Sequence, residues 1–191
     1  MVAPSYMFEH TLRPMKGWFQ MAALDKSAKL AAAVTLTAYT GRVVHLNASG
    51  EFEMGASGRH MPIFLNQGSE LFSVSNPGTT GAGSFMHQAI APTGVLNGLV
   101  GSGGYELETT EFDSAPNTAY APNHLLTAGT SNTVQATGGV LSNDRAGAGG
   151  STGLVRQYTD AACGVVSDGQ ATNEHGIDVL KFWTIYLPAA A

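Results

Sequence analysis

Residues 42–54 read RVVHL (42–46), NASG (47–50) and EFEM (51–54). The two outer runs are short and contain the β-branched and aromatic residues that favour strands. The segment between them has a turn composition, and Gly50 can adopt the positive φ that a tight turn requires. We therefore predict a β-hairpin over these residues.

Further short runs of strand type follow along the chain, and glycine- and proline-rich segments separate them. They span residues 63–65, 71–74, 94–100, 105–113, 161–166 and 179–187. Short strands bounded by such turns are typical of all-β proteins. We predict an all-β sandwich or barrel of short antiparallel strands with Gly/Pro-rich loops.

The last of these runs, 179–187, is apolar on both faces apart from two polar residues. A strand of this kind lies at the centre of stacked sheets or at a subunit interface. Phe182 and Trp183 point to opposite faces, so we predict that one fills the core and the other meets the core or a neighbouring subunit. Tyr186 belongs to the same predicted structural or interface set.

The first 29 residues differ from the rest of the chain. Their apolar residues, which include Trp18 and Phe19, follow neither a period of 2 nor a period of 3.6. An extended arm lying on another surface fits this pattern, and so does a segment that covers its own core. We predict an N-terminal arm over 1–29, with Trp18 and Phe19 as interface residues, and a single β domain over 30–191. Good helix formers within 21–33 also allow a helical turn there.

The composition excludes several classes of protein. The chain has 191 residues, of which 43% are hydrophobic and 12% charged, and its net charge is −5. This hydrophobic content excludes a wholly disordered chain. Residues 60–144 contain no lysine or arginine, which argues against a nucleic-acid partner because binding to phosphates needs clustered cations. The best apolar run, 30–38, is too short to span a membrane, so we expect no membrane partner.

No motif in the chain predicts chemistry. The six histidines are scattered, and none has another histidine three or four residues away. The single cysteine, Cys163, lies in an apolar run and is predicted to be a buried small hydrophobe. Glu106 and Glu108 share a strand face at about 7 Å, a spacing that a glycosidase pair uses, but we predict that both are solvent-facing charges. We expect no enzyme, no cofactor and no metal site.

Three blocks of the sequence, 41–55, 103–113 and 163–188, resemble the capsid decoration (cement) proteins of tailed bacteriophages. The resemblance implies a β-rich structural virion protein, made in the host cytoplasm. It would bind the outer surface of the major capsid shell and stabilise contacts between capsid subunits. The implied partners are the major capsid protein and further copies of the chain itself, most commonly as a homotrimer and sometimes as a dimer. The resemblance implies no catalytic residue.

Two other functions stay open. A carbohydrate- or host-surface-binding β module of a phage tail or fibre would stack sugars on tyrosine rings gathered in a groove. The tyrosines available for this are Tyr6, Tyr39, Tyr105, Tyr120 and Tyr158. A hydrolase would instead need a convergent pair of carboxylates in a deep pocket.

Overall fold

The computed structural model of the protein describes residues 10, 12–17, 25–57, 59–67, 71–75, 84–88, 95–101, 104–114, 119–143, 161–173 and 176–187. All regular structure within these ranges is β-strand. The strands form two antiparallel sheets and a separate two-stranded hairpin. The prediction of an all-β sandwich or barrel is therefore confirmed.

The described residues form thirteen strands. They are β1 Leu12–Gly17, β2 Asp25–Lys29, β3 Val43–Leu46, β4 Phe52–Met54, β5 Ile63–Gln67, β6 Leu71–Ser75, β7 Ser84–Gln88, β8 Val95–Val100, β9 Tyr105–Thr109, β10 Leu125–Ala128, β11 Leu141–Ser142, β12 Ala162–Thr172 and β13 Asp178–Leu187.

The larger sheet has six strands in the order β1-β9-β13-β12-β10-β11. Its longest pairing joins β12 to β13, the last two of the described strands. Because β13 also pairs with β9, the apolar terminal strand is hydrogen-bonded along both edges. Phe182 is fully buried in the core, and Trp183 is half-buried on the opposite face.

The second sheet has five strands in the order β2-β8-β5-β3-β4 and curls into a half-barrel. Leu30, the residue after β2, forms a parallel bridge with Phe52 of β4 at the far edge. Its neighbour Ala31 donates its N–H to the carbonyl oxygen of Phe52 at 2.9 Å. These contacts bring the residues after β2 against β4 at one point, and the two strands otherwise remain the edges of the sheet.

The hairpin predicted over 42–54 is confirmed as β3 and β4. Gly50 in its turn has φ 76°, as predicted. The side-chain oxygen of Asn47 accepts the backbone N–H groups of Ser49 and Glu51 at 2.9 and 3.0 Å, which fixes the turn.

Two apolar clusters hold the layers together. One fills the curled sheet, where Val44, Phe52 and Leu65 are among its fully buried members. The other lies between the sheets and includes Phe64 of β5 and Phe182 of β13, whose ring centroids are 5.3 Å apart. The curled sheet therefore packs apolar residues on both of its faces, which explains why so few charges occur along it.

The described parts of the predicted arm belong to both sheets. β1 pairs with β9 and β2 pairs with β8, each as an edge strand. The prediction that a helical turn is possible within 21–33 is wrong for the described residues 25–33, where residues 25–29 form the strand β2. Ala28 is buried in the curled sheet, and the pairing of β2 with β8 outweighs the local helix propensity. The division of the chain at residue 29 stays a prediction, and Trp18 and Phe19 lie outside the described residues.

Candidate functional site

A buried charged cluster lies at the junction of the two sheets. Arg42 immediately precedes β3, and Glu111 follows β9 by two residues. Their relative exposures are only 4% and 6%. The Nε–H of Arg42 donates to Oε2 of Glu111 at 2.7 Å, so the two charges form a direct ion pair inside the protein.

The rest of the Arg42 guanidinium binds the loop formed by residues 129–140. Its Nη1 donates to the carbonyl oxygen of Gly138 and its Nη2 to that of Gln135, both at 2.9 Å. The Tyr39 ring lies under the guanidinium, with Cζ at 4.9 Å from the ring centroid. Each nitrogen of the guanidinium therefore has an acceptor within the chain, and its flat face has an aromatic neighbour.

The second oxygen of Glu111 ties down the N-terminal segment. Nδ1 of His10 lies 2.6 Å from Oε1 of Glu111, and since the ion-paired carboxylate only accepts, this nitrogen carries the proton. The His10 ring also stacks on Tyr39 at a centroid distance of 3.6 Å and an angle of 4°. One carboxylate thus joins the N-terminal segment, the start of β3 and the end of β9.

The loop 129–140 is fitted closely to the curled sheet. Val43 donates its N–H to the carbonyl oxygen of Gly139 at 2.8 Å, and the Gln135 side chain makes two hydrogen bonds with the backbone of Thr37. Gly139 has φ 72°, and a Cβ atom there would lie 2.6 Å from the carbonyl oxygen of Val43. Any residue with a Cβ atom would be strained at this position, both by the positive φ and by the contact with the Val43 carbonyl oxygen.

Sequence reasoning missed this cluster. Arg42 and Glu111 are 69 residues apart, and His10 and Glu111 are 101 apart, so no local pattern joins them. The available signal was weak: Arg42 is a charged residue directly before an apolar strand. Because every charged or donor atom described above already has an internal partner, the cluster is suited to bracing the fold rather than to binding a substrate.

The prediction that Glu106 and Glu108 face solvent is wrong. They share a face as predicted, but their relative exposures are only 6% and 3%. β9 lies between β1 and β13, and Glu108 is in register with Arg13 on one side and Lys181 on the other. Nη1 of Arg13 is 3.7 Å from Oε1 of Glu108. Residues of the neighbouring strands therefore flank both carboxylates, and Arg13 places a positive charge beside Glu108, which is unlike a free catalytic pair.

The described tyrosines with a proposed sugar-binding role take part in internal contacts. Tyr39 lies against His10 and Arg42, and Tyr105 packs against the core between the sheets. Tyr120 meets Phe112 edge-on and donates its hydroxyl to the carbonyl oxygen of Asp113 at 2.9 Å. Tyr6 and Tyr158 lie outside the described residues.

The predicted interface residues are spread along β13. Phe182 is a core residue, whereas Trp183 and Tyr186 are half-buried. Trp183 is in register with Val165 of β12 and Glu106 of β9. Cys163 is buried, as predicted, and its thiol lies 3.6 Å from the carbonyl oxygen of Leu126.

Neither a ready metal site nor a membrane span is found in the described part of the chain. No three histidine, cysteine, aspartate or glutamate side chains there are grouped as ligands of one ion. No helix among those residues is long and apolar enough to cross a membrane.

Comparison with known proteins gives no match: no family model fits the chain, and no curated protein or solved structure is similar to it. Its function is therefore inferred from its residues and their geometry.

Proposed function

We propose that the protein is a structural virion protein of the capsid decoration class. It binds the outer surface of the major capsid shell and stabilises contacts between capsid subunits. Its partners are the major capsid protein and other copies of itself on the same shell.

The observation that carries the proposal is the resemblance of three sequence blocks to decoration proteins. Block 41–55 coincides with the β3–β4 hairpin, block 103–113 with β9, and block 163–188 with β12 and β13. The second and third blocks form neighbouring strands of the six-stranded sheet, and the first belongs to the curled sheet. The resemblance thus covers elements of both layers of the sandwich rather than one isolated loop.

The sheet edges support this role, because they are protected against pairing with other chains. On β1, Pro14 has no N–H to offer, and the register shifts between Pro14 and Lys16. The edge strand β11 has only two residues. Short, proline-containing and irregular edges resist the addition of further strands.

The edges of the curled sheet are protected as well. On β4, Phe52 accepts from Ala31, and Met54 donates its N–H to the Asn132 side chain at 3.0 Å. On β2, Lys26 and Lys29 are exposed and would repel a like-charged edge. A protein that stands beside many copies of itself on a shell needs such edges, because it must bind through its faces and loops without edge-to-edge aggregation.

The buried cluster of Arg42, Glu111 and His10 also supports a structural role. Its hydrogen bonds hold together a loop, two strand ends and the N-terminal segment. A rigid body of this kind suits a protein whose task is to span a seam between subunits.

Electron cryomicroscopy of phage particles assembled with and without this chain tests the proposal. We expect density on the outside of the capsid floor that is present in the first sample and missing in the second. An unchanged shell with missing density at the tail or its fibres would overturn the proposal and favour the host-surface-binding alternative.

A further inference from the structure

The N-terminal segment that includes β1 and the region of β9 carry matching series of basic and acidic residues. The bases are His10, Arg13 and Lys16, and the acids are, in the matching order, Glu111, Glu108 and Glu106. Because β1 and β9 pair antiparallel, the two series run in opposite directions along the chain and each base is placed at one acid.

The pairing is direct at two of the three positions. Nδ1 of His10 lies 2.6 Å from Oε1 of Glu111, and Nη1 of Arg13 lies 3.7 Å from Oε1 of Glu108. The third base and the third acid are register partners across β1 and β9. A slip of the segment along β9 would separate these pairs, so the charges help to set its register.

The acids need this compensation because all three are buried. A carboxylate inside a protein is costly unless an opposite charge or a hydrogen-bond donor accompanies it. Oε1 of Glu108 accepts no hydrogen bond from the described residues and has the guanidinium of Arg13 beside it. The edge of β9 is therefore a binding surface for an extended segment with bases at the right spacing.

The segment that occupies this edge adds little to the apolar core. Among those of its residues whose burial is described, none is fully buried, and Met15 is 39% exposed. Leu12 packs only as a partly buried residue against the cluster between the sheets. β1 is an edge strand that pairs with β9 alone. Backbone pairing and charge thus hold the segment from outside, and the core does not depend on which chain supplies it.

We propose that this segment pairs with β9 of a second copy of the chain, which gives its own segment in exchange. The second copy is a charge-matched partner, because every copy carries both series. A reciprocal exchange closes on itself and leaves β9 covered in both copies. The connection from β1 to β2, residues 18–24, can span about 25 Å at full extension, which gives the segment reach to a neighbour. This inference goes beyond the proposed capsid function and does not depend on it.

Reversing the charges of one pair tests the exchange. Arg13→Glu places two acids against each other within one chain, and Glu108→Lys places two bases against each other. Each variant alone should therefore melt below the wild type. When the two are mixed in equal amounts, unfolded in urea and refolded together, the segment of each matches β9 of the other. We expect a heterodimer that melts above either variant alone, and a tag on one variant should capture the other in equal amount.

The double variant Arg13→Glu/Glu108→Lys is the matched control, because its charges agree within every chain. It should melt above both single variants. If it does not, charge does not hold the segment and the proposal is overturned. If the double variant recovers but the mixed single variants form no heterodimer, the segment pairs only within its own chain, which overturns the proposal as well.

Sedimentation of the wild type gives a measurement that needs no substitution. We expect a dimer, because the exchanged segments join two copies. A folded wild type that sediments as a monomer at every concentration tested would overturn the proposal.

Discussion

Replacing Arg42 with methionine tests the bracing role of the buried cluster. Arg42→Met keeps an unbranched side chain but removes the ion pair with Glu111 and the hydrogen bonds to the carbonyl oxygens of Gln135 and Gly138. Glu111 then remains buried with His10 as its only hydrogen-bond partner from the cluster. Breaking one side of a buried ion pair costs about 3–5 kcal/mol, because it leaves a charge without compensation.

Urea unfolding followed by circular dichroism measures this loss. A decrease of about 3–5 kcal/mol in the free energy of unfolding is a large part of the 5–15 kcal/mol that stabilises a typical domain. The double variant Arg42→Met/Glu111→Leu removes both charges, so it should be destabilised by clearly less than the sum of the single variants. Lys26→Met, at an exposed edge position, is the control and should change the free energy by less than about 0.5 kcal/mol.

A loss below about 1 kcal/mol in Arg42→Met would refute this reasoning, because surface ion pairs contribute no more than that. Additive effects in the double variant would refute it as well, since they would mean that Arg42 and Glu111 do not act on each other.

Four further outcomes are expected. Phe182→Ala should lower the free energy of unfolding by about 3–5 kcal/mol, and Trp183→Ala should lower it by less because the Trp183 side chain is half-buried. If both variants melt and sediment as the wild type does, the structural role of β13 is contradicted. Gly139→Ala should destabilise the fold more than Gly50→Ala. Both glycines have positive φ, but only at Gly139 does backbone lie within 3 Å of the added Cβ atom. Equal urea midpoints of the two variants would argue against the close fit of loop 129–140. Deletion of residues 1–17 removes β1 and the His10 contact and should lower the melting temperature, whereas an unchanged melt would mean that the arm serves a partner instead. Attachment to capsids should persist in about 1 M NaCl, because apolar contacts are not screened; release of the protein into the supernatant on pelleting would indicate an electrostatic interface.

Local patterns in the sequence were sufficient for much of the sheet structure. The β3–β4 hairpin was predictable because its turn residues and its alternating strands agree, and β13 because it is apolar on both faces. β2 was not predictable, because its residues DKSAK favour a helix locally and become a strand only by pairing with β8, about 70 residues later in the chain.

The candidate sites were harder to predict than the strands, since each depends on distant residues. Glu106 and Glu108 alternate with apolar or uncharged residues, as charges on an exposed sheet face do. They are buried in the structure because β9 lies between β1 and β13, and this pairing is not visible in the local sequence. Arg42 and Glu111 are 69 residues apart in the sequence, and it is the packing of the two sheets that brings their charges together.

The order of strands in the two sheets also has a consequence for synthesis on the ribosome. All strands of the curled sheet lie between residues 25 and 100, so this sheet can assemble before the rest of the chain has been made. The six-stranded sheet combines β1 with β12 and β13, and β13 is translated after all the other described strands. β1 must therefore wait without its partner β9 until at least residue 109 has left the exit tunnel, and the core between the sheets closes only once β13 has emerged as well.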